Sequence, residues 1–173
     1  MHVFAYGSLI WNPGFPFEEA MPALARGWQR KWCVRSTVHR GTPETPGFVL
    51  GLVPGGACVG LAYRVAEEAD AAVTEYLQRR EMAEAGYRPA VIEVEVPGGM
   101  RPALCYVAET CCDASPSEIV AAARRASGKS GPNADYLVEA VRATGRLILP
   151  AGWPGACPGL PSGIAEELAL TAG

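Results

Sequence analysis

The apolar positions along this chain follow two different periods. Runs of β-branched and aromatic residues bounded by glycine and proline predict strands near 2–6, 25–37, 47–53, 58–65, 87–96 and 102–108. Residues 67–81 instead carry Ala69, Val73, Tyr76 and Leu77 at helical spacing, with acidic residues at the start and two arginines at the end. This segment is therefore predicted to form an amphipathic helix.

Two more helices are predicted towards the C-terminus. One lies near 115–126 and opens with Ser115-Pro116-Ser117-Glu118, a pattern typical of helix starts. The other lies near 133–145 and opens with Asn133. Because β-structure dominates the first two-thirds and helices follow, the pattern favours an α+β fold.

Length and composition favour a single domain over residues 1–173. About half of the residues (49%) are apolar, which is enough for a substantial core, and no polar tract divides the chain. From about residue 150 the sequence is rich in glycine, proline and alanine. We therefore expect a loosely packed tail there, with one short helix-like stretch, Ile164–Leu170.

Charge and hydropathy narrow the range of partners. The net charge is −3 and no basic cluster is present to follow a phosphate backbone, so nucleic acid is not an expected partner. The sequence lacks a signal-peptide pattern and any apolar run near the length of a membrane span, so we expect a cytoplasmic protein that does not enter a membrane. Nothing in the sequence indicates an obligate protein partner.

The six cysteines do not form a metal-binding pattern. No C-x-x-C pair occurs and the two histidines, His2 and His39, lie far apart, so no metal site is predicted. Cys111 and Cys112 follow a predicted strand, but no neighbour favours a reactive thiolate there. The cysteines in apolar, strand-like runs are expected in the core: Cys33, Cys58 and Cys105.

Two loops have the composition of a binding site for an anion. Gly7 follows the first strand, and its lack of a side chain leaves the next backbone N–H groups uncovered. An ordinary turn has the same composition, so both interpretations stay open. A second loop, His39–Gly47, is polar and rich in glycine and proline, and its Arg40 can offer a guanidinium to a carboxylate ligand.

Glu81 is the candidate for acid–base chemistry. It falls at the C-terminal end of the predicted 67–81 helix, where the helix dipole disfavours a negative charge. If the side chain also enters an apolar pocket, loss of solvation raises its pKa further and makes it a general base usable near neutral pH. The alternative is a solvated glutamate that pairs with Arg79 and Arg80.

Five segments in order resemble one family, the ChaC-like γ-glutamylcyclotransferases. The resemblance covers about residues 2–145 and rests on Phe4–Pro13, His39–Pro43, Gly60–Val65, Tyr76–Met82 and Ser130–Leu137. It implies a cytosolic enzyme that cleaves glutathione to 5-oxoproline and cysteinylglycine with no metal or organic cofactor. It also implies a small mixed β-barrel with flanking helices.

The resemblance also assigns individual residues. Glu81 resembles the family's catalytic glutamate, and Arg40 is expected to assist a substrate carboxylate. Two positions differ from the family pattern. Ala5 stands where many relatives have glycine. The stretch from Met82 to Tyr87 is longer than in some members, so the resemblance assigns Tyr87 to the site less securely than it assigns Glu81. The remaining expected substrate-binding residues are Val3, Phe4, Ala5, Tyr6, Gly7, Ser8, Leu9, Tyr87 and Tyr136.

The implied reaction needs no protein nucleophile. The substrate's α-amine attacks its own γ-carbonyl, a five-membered lactam closes, and the amine of Cys-Gly leaves, with Glu81 serving both proton transfers. Amides of residues 7–9 are expected to hold either the α-carboxylate or the developing oxyanion. Two alternatives stay open: a cyclotransferase for other γ-glutamyl donors, and a non-catalytic γ-glutamyl-binding regulator.

Overall fold

A computed structural model describes residues 1–83 and 86–155 of the chain. Two short 3-10 helices, Ser8–Ile10 and Glu67–Ala69, precede longer elements. Those elements, in chain order, are β1 (His2–Ala5), β2 (Glu19–Ser36), β3 (Gly47–Arg64), α1 (Asp70–Glu81), β4 (Tyr87–Val96), β5 (Gly99–Ala108), α2 (Pro116–Arg125), β6 (Ser127–Gly128), β7 (Gly131–Pro132) and α3 (Asn133–Gly145). The predicted tail beyond residue 155, including Ile164–Leu170, lies outside the described residues.

Five strands close into a barrel in the order β1-β3-β2-β4-β5. All neighbours pair antiparallel except β1 and β5, which run parallel and meet at Val3 and Leu104. This pair closes the barrel and makes it mixed. The prediction of an α+β fold with a small mixed β-barrel and flanking helices is therefore confirmed.

The prediction of two separate strands at 47–53 and 58–65 was wrong, because both belong to β3. The intervening Pro54-Gly55-Gly56 has the composition of a turn. Gly55 and Gly56 have φ values of 117° and 61°, and they lie opposite a bulge between Arg26 and Trp28 of β2. The two strands bend together there, so β3 keeps its pairing through the glycines.

β1 separates two parts of the core by the alternation of its side chains. Phe4 and Tyr6 belong to the cluster that fills the barrel, whereas Val3 and Ala5 belong to a second cluster beneath α1. α1 contributes Leu77 to that second cluster, where its side chain is fully buried. The helix that ends at Glu81 is thus held against the outside of the barrel.

α3 is tied to the barrel wall at its first residue. The side-chain oxygen of Asn133 accepts a hydrogen bond from the Phe48 N–H (2.9 Å), and its Nδ2 donates to the Phe48 carbonyl (2.8 Å). A Cβ at Gly47 would lie 2.8 Å from the Asn133 amide carbon, so this contact requires glycine. The anchor fixes the orientation of α3, which carries Tyr136.

In the described residues, no helix is both long and apolar enough to cross a membrane.

Candidate active site

The loop after β1 is shaped by hydrogen bonds at Tyr6. Its hydroxyl donates to the Tyr106 carbonyl (2.6 Å), and its own carbonyl accepts from Nε of Arg30 (2.6 Å). The chain then enters the 3-10 helix at Ser8, so the N–H groups of Ser8 and Leu9 have no acceptor within that helix. The loop therefore presents backbone donors at the end of the barrel.

Glu81 is the last residue of α1, and only 17% of its side chain is exposed. Burial raises the pKa of its carboxyl group, and the nearby Arg80 partly opposes this effect. Arg80 Nε lies 3.2 Å from Glu81 Oε1. The carboxyl group is thus less acidic than an ordinary glutamate, as a general base working near neutral pH requires.

Two cavities adjoin at this end of the barrel, and both are lined by Glu81. The smaller one, about 30 Å³, lies against the loop Tyr6–Leu9. The larger one, about 340 Å³, extends towards Arg40 and Ser130. The residues that line both cavities are Ser8, Glu81, Tyr87 and Tyr136.

Three tyrosines line the smaller cavity together with Glu81: Tyr6 and Tyr136, which are buried, and Tyr87, which is half-buried. Burial, together with the charge of Glu81, raises the pKa of Tyr6, Tyr87 and Tyr136, so all three hydroxyls stay protonated at neutral pH. The Tyr87 hydroxyl donates to the Leu50 carbonyl (2.6 Å), and the Leu50 N–H donates to the Tyr136 oxygen (3.3 Å). These hydroxyls are therefore polar, uncharged groups held in place by β3.

Most of the sequence-predicted site residues meet at these cavities. Arg40 lines only the larger cavity, and Val3 and Ala5 line neither of the two. The alternation of β1 turns both side chains towards α1, so neither side chain faces these two cavities, and their contact with substrate stays a prediction. The predicted residues that line at least one cavity are Phe4, Tyr6, Gly7, Ser8, Leu9, Arg40, Glu81, Tyr87 and Tyr136.

Arg80 has a larger part in the site than its position in the sequence indicated. Its guanidinium donates to the Asn12 and Pro13 carbonyls (2.7 and 3.1 Å) and to Ser8 Oγ (3.2 Å), besides contacting Glu81. It therefore joins the end of α1 to the loop after β1. Spacing alone did not separate it from Arg79, which points outwards, is 72% exposed and lies 4.0 Å from Glu75.

Arg30 was not predicted as part of the site. It is a buried residue of β2 (6% exposed), and besides binding the Tyr6 carbonyl it donates to the Val59 carbonyl (2.7 Å). A charged residue inside a strand of the barrel is the signal that could have revealed it. Its effect is to hold the backbone immediately before Gly7.

The five cysteines within the described residues line neither of the two cavities. Cys33, Cys58 and Cys105 are buried, which confirms their predicted place in the core. Burial raises the pKa of each, to about 12 for Cys105. Cys111 is exposed and Cys112 is half-buried. Within residues 1–83 and 86–155, no three His, Cys, Asp or Glu side chains are grouped so as to hold a metal ion.

A closed barrel with a buried carboxylate, protonated phenols and backbone donors around one cavity defines a class of protein, a small-molecule binder equipped for proton transfer. Residues 1–151 match the family described as "ChaC-like protein", and the chain belongs to that family. The predicted family resemblance is thus confirmed.

Relatives and solved structures agree with this family. The chain is 36% identical over 141 residues to a glutathione-specific gamma-glutamylcyclotransferase of Escherichia coli K12, covering 78% of this chain and 61% of that protein. It is 34% identical over 167 residues to gamma-glutamylcyclotransferase 2-3 of Arabidopsis thaliana, covering 85% and 81%. The chain thus spans about three-fifths of the length of the E. coli relative.

A crystal structure with a similar fold is that of a yeast gamma-glutamyl cyclotransferase specific to glutathione. The TM-score is 0.84 at 21% sequence identity, with 98% of this chain and 96% of that chain covered. At this level of identity the likeness shows the barrel fold, and the chemistry must be argued from the residues.

Proposed function

We propose that this protein is a γ-glutamylcyclotransferase that converts glutathione to 5-oxoproline and cysteinylglycine. The observation that carries the proposal is that Glu81, at the end of α1, and the loop Tyr6–Leu9, at the end of β1, line the same small cavity. A binder needs the loop but has no use for a buried carboxylate of raised pKa beside it. The names of the E. coli and Arabidopsis relatives support the same activity.

The reaction places two demands on the site. The γ-glutamyl arm must fold so that its α-amine reaches its own γ-carbonyl, and the place for that compact conformer is where the two cavities adjoin, between Glu81 and the loop Tyr6–Leu9. The α-ammonium must also lose a proton before it attacks. Glu81 accepts this proton, and burial makes it a stronger base than an exposed glutamate.

Bond formation and bond cleavage then balance within one molecule. The new C–N bond closes the lactam ring and the peptide C–N bond to cysteine breaks. The α-ammonium loses two protons in becoming the lactam N–H, and both pass by way of Glu81 to the leaving nitrogen, which departs as the ammonium group of Cys-Gly. The amides of Ser8 and Leu9 are donors for the oxygen on which negative charge develops or for the α-carboxylate. The larger cavity, at about 340 Å³, has room for the leaving Cys-Gly portion.

Incubating the purified protein with glutathione tests the proposal. We expect 5-oxoproline and cysteinylglycine to appear in equal amounts, measured by chromatography with mass detection. γ-Glutamylalanine serves as the comparison substrate, and an equal kcat/KM for both would indicate a broader cyclotransferase. A folded protein that releases no 5-oxoproline from either substrate would show that the proposal is wrong.

A further inference from the structure

The larger cavity contains a region that lies beyond the reach of the smaller one. The residues that line only the larger cavity include Arg40, His39 and Ser130, together with Arg80. If the γ-glutamyl group lies beside Glu81 where the two cavities adjoin, as the proposed function requires, this region receives the leaving group. Two cations, Arg40 and Arg80, therefore line the place where a leaving peptide would sit.

The two arginines differ in how their donors are used. Arg80 already serves the carbonyls of Asn12 and Pro13, Ser8 Oγ, Tyr76 and Glu81. In the described residues, the Arg40 guanidinium makes one hydrogen bond, from Nη1 to the Pro132 carbonyl (3.0 Å). Since a guanidinium carries five N–H donors, Arg40 keeps the capacity to bind a carboxylate at two points.

Arg40 lies over the ring of Tyr136, a residue that lines both cavities together with Glu81. Its guanidinium carbon is 5.6 Å from the centre of the Tyr136 ring. Tyr136 interacts electrostatically with both Glu81 and Arg40, whereas the groups that act on the pKa of Arg40 are Tyr136 and Asp135. An extended dipeptide spans about 7 Å, long enough to cross one aromatic ring.

The surroundings of Arg40 form an ordered wall. His39 Nδ1 lies 2.9 Å from Ser130 Oγ, and the N–H of Ser130 donates to the His39 carbonyl (2.9 Å). A Cβ at Gly128 would lie 2.5 Å from the Val38 carbonyl oxygen, so the close approach of these two loops depends on glycine. The loop of Arg40 is therefore held at a defined distance from the barrel.

This wall also contains an unsatisfied polar atom. His39 Nε2 is buried and, within the described residues, has no hydrogen-bond partner. Leaving a buried nitrogen unpaired is unfavourable, so the region has unused hydrogen-bonding capacity as well as a positive charge.

We propose that Arg40, supported by His39 and Ser130, binds the C-terminal carboxylate of the leaving peptide rather than the α-carboxylate of the γ-glutamyl group. The ligand class is a γ-glutamyl peptide whose leaving portion ends in a free carboxylate at dipeptide length. This inference rests on the proposed function and assigns Arg40 to specificity. Arg40 lines only the larger cavity and not the one that adjoins the loop Tyr6–Leu9, so its contribution falls on KM more than on kcat.

Comparing glutathione with its C-terminal carboxamide tests whether Arg40 binds the C-terminal carboxylate or the α-carboxylate. The carboxamide leaves the γ-glutamyl group unchanged and removes only the terminal charge. For the wild type we expect kcat/KM to be about 10- to 100-fold lower for the carboxamide, since one charge-assisted contact is lost. Arg40→Gln should lower kcat/KM for glutathione by a similar factor and leave the carboxamide within about threefold.

Two further variants control this comparison. Arg40→Lys keeps the charge without the planar fork, and we expect intermediate discrimination between the two substrates. Arg142→Gln alters an exposed α3 arginine that pairs with Glu139, and it should change neither substrate. Thermal melting of each variant reports whether it folds.

Three outcomes would overturn the inference. One is equal wild-type kcat/KM for the acid and the carboxamide. Another is an equal loss for both substrates in Arg40→Gln, which would place Arg40 at the α-carboxylate. The third applies if neither substrate is turned over, in which case the proposed function is wrong. Calorimetry then compares the binding of glutathione and of its carboxamide, and equal affinities would overturn the assignment of Arg40.

Discussion

At the scale of single residues, two opposing effects set the pKa of Glu81. Burial disfavours its charge, while Arg80 at 3.2 Å favours it. Because burial is the larger influence, the carboxyl group is poised to take up a proton and release it again. Arg80 also holds Ser8, so one side chain connects the acid–base group to the loop that faces it.

Replacing Glu81 by glutamine should nearly abolish turnover. The amide keeps the shape of the side chain but cannot accept the ammonium proton, and loss of acid–base catalysis costs about 10²- to 10⁴-fold in kcat. Glu75→Gln is the matched control, because Glu75 lies on the same helix and is 72% exposed. A Glu81→Gln protein that keeps more than about a tenth of wild-type kcat would exclude Glu81 as the base. Glu84, the next acidic residue, lies outside the described residues.

Glu81→Gln should also affect the thermal stability of the protein. A carboxyl group whose pKa is raised by folding stabilises the protein at low pH and loses that contribution as pH rises through the raised value. At neutral pH the buried charge therefore opposes folding, and its removal should leave the Tm of Glu81→Gln equal to or above that of the wild type. Thermal melts at pH 4 and pH 7 check the sign, and a lower Tm confined to pH 7 would contradict it.

The pH dependence of activity should report the environment of Glu81. Because the base must be ionised, kcat/KM should rise with pH along a limb whose midpoint lies above 4.5, the ordinary value for glutamate. Arg80→Met removes the charge that lowers this pKa, so the limb should move to higher pH. Arg80→Lys keeps the charge and should move it less. If the acidic limb lies at the same pH in the wild type, Arg80→Met and Arg80→Lys, the group that titrates there is not Glu81.

At the scale of elements, α1 and α2 are fixed at their ends by different contacts. α1 is held at its start by Asp70, which accepts from the N-terminal amino group at 2.8 Å, and at its end by Arg80. α2 begins with a capping box, in which Ser115 Oγ accepts from the Glu118 N–H and Glu118 accepts from the Ser115 N–H. α2 is thus stabilised locally, far from the cavities.

Ser115→Ala should destabilise the protein without affecting catalysis. Loss of the cap costs about 1 kcal/mol, and Ser115 lines neither of the two cavities. Hydrogen bonds from Ser115 lower the pKa of Glu118. The contribution of these bonds to folding stability is therefore present above the ordinary pKa of a glutamate, and it is lost as pH falls through the lowered pKa of Glu118. Denaturant unfolding should therefore show a larger difference at pH 7 than at pH 3, with kcat/KM unchanged. A fall in kcat/KM would show that α2 reaches the site.

At the scale of the whole molecule, closure of the barrel depends on close backbone approach at Gly60. β3 is paired on one side with β2, at Ala23 opposite Gly60, and on the other with β1, at Ala5 opposite Leu61. A Cβ at Gly60 would overlap the Ala5 carbonyl oxygen and touch the Phe4 ring. Glycine therefore allows β1 to lie against β3, and β1 carries the chain into the binding loop.

Gly60→Ala should destabilise the protein by about 3 kcal/mol or more, because the overlap involves backbone that cannot move without opening the β1–β3 pair. Gly145→Ala is the control, since no atom lies within 4 Å of its Cβ position at the end of α3. It should be neutral or slightly stabilising. Urea unfolding measures both, and an unchanged midpoint for Gly60→Ala would show that the strands do not approach so closely.

Much of the fold followed from local patterns. The helix at 133–145 was predicted from Asn133 and the apolar spacing after it, and α3 covers those residues. The apolar spacing located this helix, whereas the Asn133 side chain does not cap it and instead binds the backbone of Phe48. The prediction failed at Pro54-Gly55-Gly56, where β3 pairs with β2 on both sides of the two glycines and continues through a bulge instead of turning back. That pairing is a long-range contact, and it overrode the local preference.

The sequence by itself determined the type and order of most elements, the family, and the candidacy of Glu81 and the loop after Tyr6. Only the tertiary structure decided which charged groups meet. It buried Glu81 against Arg80 instead of Arg79, turned Ala5 away from the cavity, and placed Arg40 over the Tyr136 ring. Local preferences act over a few residues, whereas burial and electrostatic partners arise from strands and helices distant in the chain.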